Sequence, residues 1–146
     1  MGELIHLTFV LISFLSAFLI FQVQLILSKY LLAQFGGSSS VWVISVLTFQ
    51  TLLVFGYLYG LFLVSKPLST QFRIHALIIF SITIIQLTLS KNWVAYIIPR
   101  GLNSDFPPEL SLILTLLVSV GCLYLILAST TNILQTWYFT GFQKKS

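Results

Sequence analysis

Apolar residues dominate this chain in four long runs, over residues 4–27, 41–64, 74–90 and 110–133, and none of the four contains an Asp, Glu, Lys or Arg. Crossing about 30 Å of hydrocarbon takes about 20 residues at ~1.5 Å per residue. Each run is therefore predicted to span a bilayer, with the third the shortest. Backbone that faces lipid must satisfy its own hydrogen bonds, so the runs are predicted as helices rather than open strands. The expected fold is all-α: a single membrane domain over 1–146 built as a bundle of four transmembrane helices. Residues 134–146 are predicted as an amphipathic or irregular tail.

Polar punctuation supports these limits. Gly36-Gly37-Ser38 is a turn signal between the first two runs. Pro99, Pro107 and Pro108 place a loop between the third and fourth, with Trp93 and Tyr96 at interface positions. The first run is preceded by Glu3 and His6 and by no Lys or Arg. A cleaved signal peptide has a basic start and a shorter apolar core, so a retained first helix is expected.

Composition agrees with lipid as the solvent. The chain is 58% hydrophobic and 7% charged, with a mean hydropathy of +1.02. Soluble domains carry about 25% charged residues. The net charge of +4 does not form a basic patch. The seven cations are dispersed at the ends of the runs, which argues for membrane topology and against a nucleic-acid partner. An inside N-terminus puts Lys66, Arg73, Lys144 and Lys145 on the cytoplasmic side, against Lys29, Lys91 and Arg100 outside. That four-to-three excess predicts both termini in the cytoplasm and a multi-pass location in the cell (inner) membrane. Cys122 is the single cysteine, so an intrachain disulfide is excluded.

The candidate chemistry lies in the few polar groups within the runs. Gln22 and Gln24 stand in the later part of the first run with Lys29 just beyond it, Gln50 in the second and Gln86 in the third. Gln22 and Gln24 are two residues apart and point to different sides of a helix. Amide pairs between spans act as glue worth ~1 kcal/mol, and Gln50 is the expected partner of Gln24. The alternative is a polar cavity for a substrate. Lys29 suits snorkelling to the headgroups, or a cation facing an anionic ligand. Gly56 and Gly60 are four apart and predict a close helix contact, with a gating hinge as the alternative. His6 and His75 each stand alone near the start of a run and read as interfacial residues rather than metal ligands.

The acids are Glu3, Asp105 and Glu109, all outside the runs. Ion-coupled carriers commonly place Asp or Glu within the membrane. No Ser/His/Asp grouping, Cys-x-x-Cys pair or glycine-rich nucleotide loop is present. Neither catalysis nor a cofactor is expected of these residues.

The stretches "FLSAFLIFQVQLILSKYLLAQFGGSSSVW" and "FQTLLVFGYLYG" resemble the N-terminal membrane region of the fused major-facilitator/spermidine-synthase-like family. The resemblance rests on Gln24, Lys29, Leu31, Leu32, Phe35, Gly36, Gly37, Ser38, Val41 and Trp42, and then on Gln50, Gly56, Tyr57 and Tyr59. "LASTTNILQTWY" is similar to a later family motif at Ser129, Thr130, Thr131, Leu134, Gln135, Trp137 and Tyr138. Leu25, Ala33, Ser39 and Ile133 stand where the family often has proline. The resemblance implies a major-facilitator-like transmembrane region without the synthase-like domain.

Carriers of that architecture are built from repeated helix triplets around a midplane site, and four helices make one triplet plus one. Two functions are therefore expected in order: an accessory subunit of a larger membrane complex with other membrane protein subunits as partners, then a partial carrier completed by partner chains. The first predicts polar residues buried in helix contacts. The second predicts polar residues converging on one cavity.

Overall fold

The computed structural model describes residues 2–89 and 107–142, with side chains for 6–85, 87–88 and 107–140. Glu3, Gln86, Lys91, Trp93, Tyr96, Pro99, Arg100, Asp105, Lys144 and Lys145 lie outside the described side chains. The described backbone is helical, with no strand. Helix α1 spans Gly2–Gln34, α2 Ser39–Val64 and α3 Leu68–Leu89. The fourth rod consists of α4 (Pro108–Leu116), one π turn (Leu117–Gly121) and α5 (Cys122–Phe142). Among the described residues, four segments are long and apolar enough to cross a membrane: His6–Gln34, Ser39–Val64, Leu68–Ile85 and Pro108–Thr140. The all-α membrane bundle expected from the pattern is the observed fold.

The breaks have local causes. Gly36 and Gly37 adopt φ of 92° and 69°, the left-handed region that glycine enters without strain. The Gly37 N–H donates to Leu32 O at 2.8 Å, closing α1 with a bond that spans five residues. Ser38 precedes α2, but its hydroxyl meets Ser40 Oγ at 2.7 Å rather than capping the helix. Pro67 stops α2 from continuing, and its carbonyl accepts from the N–H groups of Thr70 and Gln71 as α3 begins. Pro108 opens α4 at a position where a missing N–H is harmless.

Helices run past the apolar runs at several ends. Helix α1 reaches Gln34, so Lys29 is helical, exposed and able to snorkel. Helix α3 begins at Leu68, six residues before the apolar run, because Pro67 nucleates it. Helix α5 continues through Phe142, so residues 134–142 of the expected tail are helix, and Leu134 is buried. Hydropathy marks what lipid accepts, and helices extend beyond it into the interface.

The fourth rod is the centre of the bundle. It packs on α1, α2 and α3, whereas α3 touches its neighbours sparsely. The core joins Leu31 of α1, Val41, Phe49 and Leu52 of α2, Leu112 and Leu116 of α4 and Tyr124 of α5. Small residues let backbones approach: Ser28, Ser45, Gly56, Gly60, Gly121, Ala128 and Ser129 are all buried. Ser45 and Ser129 donate their hydroxyl protons to Val41 O and Ile126 O within their own helices, and so enter the core as small, satisfied side chains. The start of α1 and the end of α5 lie side by side, with the His6 and Tyr138 rings 5.3 Å apart.

Candidate functional site

The polar residues singled out from the sequence do not come together. Gln24 Oε1 accepts from the Tyr124 hydroxyl of α5 at 3.4 Å. The expected Gln24–Gln50 pair is thus replaced by a contact to the fourth rod. Gln50 is exposed on α2. Gln22 is half-buried and Lys29 exposed. Gly56 and Gly60 both face α5, where a Cβ on Gly56 would come within 2.7 Å of Leu125 O and one on Gly60 within 3.5 Å of Asn132 Cβ. The "GYLYG" face is therefore an internal helix contact.

A different polar cluster forms where α2 ends, α3 begins and α5 ends. Gln71 is its hub. Its Nε2 donates to Val64 O at 3.1 Å, a carbonyl left open at the end of α2, and to Lys66 O at 2.6 Å in the turn before α3. Its Oε1 accepts from Trp137 Nε1 of α5 at 2.7 Å. One side chain thus ties three elements together using both ends of its amide. The Phe72 and Trp137 rings, 6.0 Å apart, pack beside it.

One turn further along α3, His75 Nε2 lies 3.2 Å from Thr130 Oγ1. Thr130 donates its only hydroxyl proton to Ile126 O at 2.8 Å. Its oxygen must then accept from the imidazole, which assigns the proton to Nε2. Nδ1 is left as a buried acceptor without a partner among the described residues. The Tyr59 ring stacks 6.2 Å from His75, and its hydroxyl is likewise buried and unpaired. An unpaired donor and an unpaired acceptor therefore sit on neighbouring rings.

His75, expected near the interface, is 5% exposed and bonded across to α5. The available signal was its spacing: Gln71 and His75 are four apart and share one face of α3. The partners, Thr130 and Trp137, belong to the "LASTTNILQTWY" stretch, but nothing in the sequence pairs that stretch with α3.

Among the described residues, grooves open on the bundle surface. One of about 240 Å³ lies between α1 and α5 and is lined by His6, Phe9, Ser13, Leu134, Gln135 and Tyr138 among others. Another, about 350 Å³, lies between α2 and α4, against Thr48, Thr51, Leu52, Phe55, Ile113 and Leu117. Thr48 and Thr51 donate to Ile44 O and Leu47 O of their own helix. Neither groove is lined by Gln22, Gln24, Lys29, Gln50, Gln71 or His75. Among the described residues, no three His, Cys, Asp or Glu side chains gather as a metal site. No family model, no curated protein and no solved structure matches this chain.

Proposed function

We propose that this chain is a structural, accessory subunit of a larger membrane assembly, without catalytic activity of its own. One observation carries the reading: three of its intramembrane polar side chains bridge helices, and the described grooves are not lined by them. Gln24 meets Tyr124, His75 meets Thr130, and Gln71 meets Trp137. Such contacts fix the relative positions of spans and leave little polar surface for a solute. The resemblance to the fused major-facilitator/spermidine-synthase-like family fits a chain that supplies part of a helical assembly. We place both termini in the cytoplasm of a cell-membrane protein, on the balance of cations between the two sides.

Gentle solubilisation of native membranes, purification of the chain and mass spectrometry of what accompanies it test the reading. The expected result is a stoichiometric complex containing other membrane subunits, from which loss of this chain disperses the remainder. A lone monodisperse monomer that transports a solute after reconstitution would establish a carrier instead.

A further inference from the structure

Gln50 is the anomaly that the bundle leaves unresolved. It is the twelfth residue of the 26-residue helix Ser39–Val64. At ~1.5 Å per residue it sits about 16 Å from the start of α2 and about 21 Å from its end. The hydrocarbon layer is ~30 Å thick, so Gln50 lies close to its middle. An amide on two methylenes cannot reach headgroups from that depth. Gln50 is nevertheless exposed and makes no hydrogen bond to any described residue. Leaving an amide bare in hydrocarbon is among the larger penalties a span can carry.

Its surroundings show a second pattern. Val43, Leu47, Gln50, Val54, Tyr57 and Leu61 follow one another at intervals of four and three residues. That is the spacing of a coiled-coil seam, which keeps one stripe facing a partner helix. The five companions of Gln50 are all between 42% and 65% exposed. The seam lies on the side of α2 opposite Leu52, Gly56 and Leu63, which are buried in the bundle.

We propose that this stripe is a self-association surface, on which α2 of a second copy of this chain packs in parallel and Gln50 pairs with the same residue of the other copy. Two features select a copy over another partner. A glutamine amide is both donor and acceptor, so it is its own complement. Copies inserted in the same orientation and related by a two-fold axis along the membrane normal bring each residue to its equivalent at equal depth. A lone polar residue in an apolar seam also sets register, because any slip leaves both amides unpaired.

The test is cysteine cross-linking of the full-length Cys122→Ala protein in phosphatidylcholine vesicles with a copper-phenanthroline oxidant. Leu47→Cys and Val54→Cys are expected to give a band of twice the chain mass, whereas Phe55→Cys and Phe62→Cys, exposed on another side of α2, are expected to give none. Adding Gln50→Leu should weaken the dimer about five-fold, the equivalent of the ~1 kcal/mol of an interhelical polar contact. Gln50→Asn should retain most of it. Because Gln50 is exposed and hydrogen-bonds no described residue, its replacement is expected to leave the monomer folded, which an unchanged tryptophan emission spectrum would verify. Cross-links that peak at Phe55 and Phe62, no dimer at any position, or a dimer indifferent to Gln50→Leu would each overturn the proposal. The inference extends the subunit reading, and the two fail separately. In native membranes, capture of a different polypeptide at Leu47 and Val54 overturns self-association and leaves that reading standing. A self-dimer that alone transports a solute does the reverse.

Discussion

Replacing Gly56 by alanine adds one methyl group at the tightest point of the bundle. The new Cβ would stand 2.7 Å from Leu125 O and 2.8 Å from Ala128 Cβ. Carbon atoms in ordinary contact sit about 3.5–4.0 Å apart, so α2 and α5 must separate by most of an ångström. The obstacle on one side is a backbone carbonyl, which no rotamer change can move. Overpacking of this kind costs about 1–3 kcal/mol, and the rigid neighbour puts Gly56→Ala toward the upper end. Gly60→Ala is the internal control. It lies one turn along the same helix, where a Cβ would meet Asn132 Cβ at 3.5 Å and Ser129 O at 3.6 Å, both ordinary contacts. Both changes carry the same gain in helix propensity, so that effect cancels in the comparison. Unfolding in mixed micelles with increasing dodecyl sulfate, followed by tryptophan fluorescence, should place Gly56→Ala about 2 kcal/mol below Gly60→Ala. Equal stabilities would refute the α2–α5 contact, and so would a larger loss at Gly60.

Two further expectations concern the attachment of α3 and the topology. Trp137→Phe removes the donor that Gln71 Oε1 accepts at 2.7 Å and leaves an amide oxygen short of its partner, at a cost of about 1–3 kcal/mol. Amide exchange over residues 68–76 should accelerate while residues 52–63 stay protected; acceleration of both segments together would place the effect elsewhere. In a Cys122→Ala background, Ser38→Cys and Ser65→Cys flank α2 at opposite ends. Membrane-impermeant thiol reagents should reach them from opposite sides of the bilayer, and labelling from one side would break the alternation of spans.

Hydropathy was enough to identify four spans, because lipid imposes a single strong constraint: an apolar run long enough to cross it, with its backbone bonds closed inside a helix. Glycine spacing was likewise enough to mark Gly56 and Gly60 as close-packing positions. The α1–α2 turn was readable at Gly36 and Gly37 for the same local reason, since only glycine enters that backbone region freely. Helix ends were less readable. Pro67 starts α3 before hydropathy rises, and α5 continues after it falls, because helices are stable beyond the hydrocarbon.

Which polar groups meet was decided by tertiary structure alone. Sequence offered Gln24 the amide of Gln50 as its expected partner, and a one-dimensional pattern contains no rule that the fourth rod, rather than α2, presents the nearest hydrogen-bonding group. That Tyr124 does so follows from the rod's central position. The same holds for His75 and Gln71. Their distance from Thr130 and Trp137 along the chain is 55 and 66 residues, and only the packing of α3 against α5 closes it. Gln50 shows the converse: its chemistry was legible as a polar group in a span, but its lack of a partner among the described residues became visible only in the tertiary structure.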